Sequence, residues 1–166
     1  MSDPWTVAPA RLQDLPLLAD LMAASPLLRR YGTTRDSARV ALEHARRAED
    51  LLLVARDLAD GPPAGMAWVI PSRILTRAAY LRLLLVGEGG QDAGLGTELL
   101  AAAEARARDW ANHLVLLVTA DNAGARRFYE RCGYRHVGDL PELAVLGIDE
   151  ALYHKPLRSH GDRLPA

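Results

Sequence analysis

Residues 83–97 read L-L-L-V-G-E-G-G-Q-D-A-G-L-G-T, an apolar strand pattern that enters a glycine-rich turn and then a helical pattern. That order of elements can hold a ligand phosphate. The turn exposes backbone N–H groups, and the first helical turn leaves its own donors without partners. Gly94 and Gly96 let the main chain approach an anion with no Cβ in the way. A nucleoside-triphosphate loop needs Lys followed by Ser or Thr after its last glycine, but Thr97 follows Gly96 directly and no lysine is near. A dinucleotide fingerprint needs a third glycine at position 99, where Leu99 stands, although Asp121 sits where a ribose-binding acid is expected.

A second block follows after one helix and one strand: D-N-A-G-A-R-R-F-Y-E-R-C-G-Y, with Asn122, Phe128, Tyr129, Gly133 and Tyr134. With Gln91-x-x-Gly94-x-Gly96 it resembles the paired signatures of the GNAT superfamily of acyl-CoA-dependent N-acyltransferases, over roughly residues 5–157. The resemblance implies acetyl-CoA as donor, an amine of a small molecule or protein as acceptor, and no metal. The pyrophosphate would lie on the loop formed by Gln91, Asp92, Ala93, Gly94, Leu95, Gly96 and Thr97, held by backbone N–H groups and the helix dipole. Many relatives carry a basic residue there; Asp92 adds an unfavourable charge if it faces the phosphates. The main chain of Leu84, Leu85 and Val86 would pair with the pantetheine arm, with an N–H from this segment polarising the thioester carbonyl.

On the same resemblance Tyr129 is the general acid for the departing thiolate, since a phenol pKa near 10 lies close to that of a thiol. Phe128 is expected in the core, and Asn122 either bonds the pantetheine or caps its helix. The general base stays open. Leu117 stands where some protein-modifying relatives carry Glu; Glu88, just beyond the pantetheine strand, is the candidate, with His136 and His154 as alternatives. Acceptor recognition is assigned to S-P-L-L-R-R-Y-G, with Arg29, Arg30 and Tyr31, and to the acidic stretch holding Asp139, Glu142, Asp149 and Glu150. A non-catalytic acyl-CoA sensor on the same fold is the alternative to an enzyme.

The elements that must position these residues are legible from periodicity. W-T-V-A-P-A reads as a strand, residues 11–23 as a helix, and Thr33 with Asp36 as the capping box of a second helix burying Ala38, Ala41, Leu42 and Ala45. Strands follow at 51–56, 65–71 and 79–86. The helix from Leu95 is expected to turn Leu99, Ala102, Ala103, Arg106 and Trp110 to one side, with Glu104 and Arg108 as a supporting i,i+4 pair. The strand at 114–118 is uniformly apolar and so expected to be buried on both faces, parallel to the strand before the glycine turn. A short helix with Ala125, Phe128 and Cys132 inward and two late strands complete an α/β sandwich. The resemblance makes its sheet mixed and mostly antiparallel, with a splayed parallel pair taking the acyl-CoA.

With 166 residues the chain is expected to form one domain over 1–158, followed by a disordered tail. A formal charge of −1 gives no basic footprint for nucleic acid. One cysteine makes no internal disulfide, and no residues show metal-ligand spacing. M-S-D-P-W opens no signal peptide and no apolar run spans a bilayer, so a cytoplasmic protein is expected, with a homodimer left open.

Overall fold

The computed structural model describes residues 5–57, 61–71, 77–90 and 94–157. In chain order these form β1 (Thr6–Pro9), α1 (Leu15–Ala24), α2 (Pro26–Arg30), α3 (Arg35–Arg47), β2 (Leu51–Arg56), β3 (Gly65–Pro71), β4 (Ala78–Val86), α4 (Leu95–Ala107), β5 (His113–Thr119), α5 (Ala123–Arg131), β6 (Arg135–Val145) and β7 (Ile148–Pro156). The strands make one sheet in the order β1-β2-β3-β4-β5-β7-β6. β4 and β5 run parallel, whereas β1 with β2, β2 with β3, β5 with β7 and β6 with β7 run antiparallel. This is the mixed α/β architecture that the sequence pattern predicts. The β4–β5 register runs from Ala78↔His113 to Leu81↔Leu116, and both strands continue beyond it.

The chain forms two compact units, Met1–Val69 with Leu83–Ala103 and Ile70–Arg82 with Glu104–Ala166. In the first, α1 buries Leu15, Leu18, Ala19 and Met22, and α3 buries Ala38, Leu42 and Ala45. Two boundaries differ from expectation. Residues 26–30, within the stretch assigned to acceptor recognition, form a short helix where no helical periodicity marks one: Pro26 opens it and Ser25 Oγ accepts the Leu28 N–H at 3.3 Å. The cap of α3 is Thr34, one residue later than Thr33, and its box closes through Ser37 rather than Asp36. Asp14, just before α1, and Arg56, at the end of β2, are both buried and pair at 2.5 Å. Arg56 Nε also donates to the Gly61 carbonyl at 2.9 Å.

In the second unit β7 lies between β5 and β6, antiparallel to both, around Leu114, Leu116, Val118, Ala151 and Tyr153. β5 is not buried on both faces as expected, because Val115 and Leu117 stay half-buried. The stretch 138–145, read as an acceptor loop, is strand. β6 and β7 make a long hairpin with register shifts at His136/Gly138 and Leu140/Val145. The acids of that stretch tie it together: Asp149 accepts the Glu142 N–H at 3.1 Å, and Glu142 accepts the Gly147 N–H at 2.7 Å.

Candidate active site

The donor segment lies in the first unit. Leu84, Leu85 and Val86 end β4 half-buried. Their backbone runs close to β3: a Cβ on Gly65 would lie 2.8 Å from the Leu85 carbonyl oxygen and 2.9 Å from Leu99 Cδ1. The Gly87 N–H then bonds the Ala64 carbonyl at 2.8 Å. A 3₁₀ turn over Glu88–Gly90 carries Glu88 exposed to solvent. At Gly90 a side chain would meet Leu95 Cδ2 at 2.5 Å and Val86 Cγ1 at 2.9 Å, so the turn closes on α4 only with glycine.

Gln91, Asp92 and Ala93 lie outside the described residues. Gly94 takes a left-handed φ of +79°, and its carbonyl accepts the N–H groups of Thr97 at 2.9 Å and Glu98 at 3.2 Å. Leu95 is buried while Gly94 and Thr97 are exposed, so one side of this helix start packs and the other is open. A helix start in this conformation directs main-chain N–H groups and the positive end of the helix dipole outward, which suits a phosphate.

The second unit holds the aromatic block. Asn122 caps α5, its Oδ1 accepting the Ala125 N–H at 3.0 Å. At the other end Gly133, with φ +87°, reverses the chain; its N–H bonds the Glu130 carbonyl, and the Tyr134 N–H bonds that of Tyr129, both at 3.0 Å. This doubly bonded glycine stop folds the residue after it back onto the helix's last turn. Tyr134 therefore meets Tyr129 edge to face, with ring centres 5.5 Å apart. The inward side of α5 is Tyr129, at 8 % exposure; Phe128, expected in the core, is half-buried. The reason is the returning Tyr134, which covers the Tyr129 side. Burial pushes the Tyr129 phenol well above its ordinary pKa, with Cys132 and Tyr80 adding to the shift.

The remaining candidates sit apart from this block. His136 bonds Asp139 at 2.9 Å on exposed β6. His154 meets the His113 ring nitrogen at 3.0 Å; burial, then His113 and Arg135, lower its pKa below 6.5. Arg29 is exposed on α2. Among the described residues no group of three or more His, Cys, Asp or Glu is placed to hold a metal, and no helix is long and apolar enough to cross a membrane.

One feature escaped the sequence reading. Glu104, expected as the surface partner of Arg108, is buried and accepts from Lys155 Nζ at 2.8 Å and from Tyr134 Oη at 3.0 Å, while Arg108 stands off at 3.8 Å. Arg106, expected inward, is exposed; the buried stripe of α4 is Leu95, Leu99, Leu100, Ala103, Glu104 and Ala107. The available signal was the place of Glu104 one turn from both Leu100 and Ala107, on the apolar face.

Residues 18–134, spanning the glycine turn and the aromatic block alike, match the model of the acetyltransferase (GNAT) family. The chain belongs to that family. Among known GNAT proteins it is 32 % identical over 134 residues to the blasticidin-S acetyltransferase of Streptomyces morookaense, covering 78 % of this chain and 98 % of that protein. Two solved structures share the fold at 17 % identity and a TM-score of 0.74. One is yncA of Salmonella typhimurium with its cofactor acetyl-CoA, covering 98 % of this chain and 99 % of that one. The other is an aminoglycoside 6'-N-acetyltransferase complexed with coenzyme A, covering 95 % and 99 %.

Proposed function

We propose that the protein transfers an acetyl group from acetyl-CoA to a primary amine by direct transfer, residues 1–158 acting as one acyltransferase domain. The backbone of Gln91–Thr97 cradles the pyrophosphate, and the main chain of Leu84, Leu85 and Val86 takes the pantetheine arm. Asn122 spends its Oδ1 on the helix cap, which leaves its amide nitrogen to donate to the pantetheine. Glu88 takes a proton from the acceptor ammonium, directly or through water. The amine nitrogen attacks the thioester carbonyl carbon, the C–S bond breaks, the departing sulfur takes the Tyr129 proton, and the second proton that the nitrogen sheds on becoming an amide returns through water to the Tyr129 oxygen. Burial raises that phenol above its ordinary pKa, which keeps it protonated but makes it a weaker donor than the near-match of phenol and thiol expected from the sequence.

The observation that carries this reading is Tyr129, buried on the last turn of a capped helix and kept in its acid form. A small-molecule acceptor is supported by the blasticidin-S acetyltransferase, whose length the chain nearly spans. Thiol release from acetyl-CoA over a panel of amines, including blasticidin S and peptide N-termini, tests both parts. Turnover with at least one amine is expected, falling by about 10²–10⁴ in Tyr129→Phe. Full turnover in Tyr129→Phe removes the acid role; acetyl-CoA binding without turnover on any amine favours the sensor.

A further inference from the structure

Glu104 is a carboxylate on the apolar face of a helix, 5 % exposed. Lys155 Nζ donates to both its oxygens at 2.8 Å, and the Tyr134 hydroxyl donates to Oε1 at 3.0 Å. The Lys155 ammonium also lies 5.4 Å from the centre of the Tyr134 ring. Tyr134, itself 2 % exposed, is thus held at three points: its hydroxyl by Glu104, its ring by Lys155 and its N–H by the Tyr129 carbonyl. Only then does its ring meet Tyr129.

Burying the Glu104 carboxylate is costly even with the half-buried Lys155 ammonium against it, since desolvation offsets much of their attraction. What it supplies instead is direction. The hydroxyl bond stops the Tyr134 ring from rocking against Tyr129, and an edge-to-face contact passes the orientation of one ring to the other. A reacting group displaced by about 1 Å can lose on the order of 10² in rate.

We propose that Glu104 and Tyr134 are positioning residues for acetyl transfer: the Lys155-braced carboxylate fixes the Tyr134 ring, which sets the angle at which the Tyr129 hydroxyl presents its proton. This rests on Tyr129 being the general acid. Tyr134→Phe keeps the ring and deletes the bond to Glu104, so it separates orientation from packing. In wild-type background it should lower kcat about tenfold and leave the KM for acetyl-CoA unchanged. In Tyr129→Phe background the same substitution should change kcat by less than about twofold, because no proton remains to be aimed. Glu104→Leu, which removes the acceptor of the Tyr134 hydroxyl, should repeat the pattern, with acetyl-CoA binding confirming a folded protein. Equal losses in both backgrounds, or no loss in either, overturn the positioning role while leaving the acid role standing. A Tyr129→Phe enzyme with unchanged kcat overturns the acid role, and the positioning role with it.

Discussion

The proton on Tyr129 sits where the fold keeps it. Burial is the main cause, and Cys132 and Tyr80 raise the pKa further. A raised phenol pKa favours the neutral form, so ionisation of this group does not limit an acid step at neutral or mildly alkaline pH. Between about pH 7 and about pH 10 the kcat of the wild-type protein should show no alkaline fall; a fall centred on the ordinary phenol value of about 10 would mean that Tyr129 titrates as an exposed side chain. The sequence marks Tyr129 as the candidate acid only through its place in the aromatic block before Gly133. Its burial was not legible. Phe128 and Tyr129 are adjacent aromatics about 100° apart on a nine-residue helix, and Ala125 and Cys132 are spaced to pair with Phe128. What decides between them is Tyr134 folding back through the glycine stop. The apolar face of α4 signals the burial of Glu104, but its partners are not legible: they lie 30 and 51 residues away, while Arg108 stands in the textual neighbourhood.

At the scale of elements, the donor segment depends on how closely β3 and β4 approach. Gly65 is where that approach is tightest, against the Leu85 carbonyl and Leu99. Gly65→Ala forces the strand and α4 apart, an overpacking change that should cost about 1–3 kcal/mol, read as a lower urea midpoint. It should also weaken acetyl-CoA binding, since the displaced backbone is the one assigned to the pantetheine. Periodicity located α1, α3, α4, α5 and most strands, because each buries one face; α2, which buries no residue, gave no such signal. It failed where bonding partners outweigh composition. The β6 stretch contains Gly138 and Pro141 and reads as loop, yet its pairing with β7 makes it strand. At α3 two adjacent threonines offered the same cap chemistry, and Ser37 chose the second.

For the molecule as a whole, binding and pH act on stability through linkage. Acetyl-CoA at about a hundred times its Kd should stabilise the protein by about 2.7 kcal/mol, raising Tm, whereas NAD(P) should leave Tm unchanged. Acid acts through Asp14. Burial opposes its ionisation, but the Arg11 N–H and the Arg56 guanidinium outweigh that and hold its pKa below 3.8. The stability this ion pair gives is therefore complete above pH 3.8 and is lost as pH falls through the lower folded value. Asp14→Asn leaves Arg56 buried without its counter-charge and should cost about 3–5 kcal/mol at neutral pH, while flattening the acid limb of a denaturation series. The sheet's borders carry a different consequence. An outermost strand offers a row of unused main-chain donors and acceptors to any neighbouring chain. Here one border, β1, is four residues long and ends on Pro9; the other, β6, is bulged, carries exposed Arg135, Asp139 and Glu142, and has at Pro141 a residue with no N–H to give. Both borders interrupt the row that a further strand would need, although β6 also exposes the apolar Val137 and Leu143, so its resistance to strand addition rests on the bulges and on Pro141.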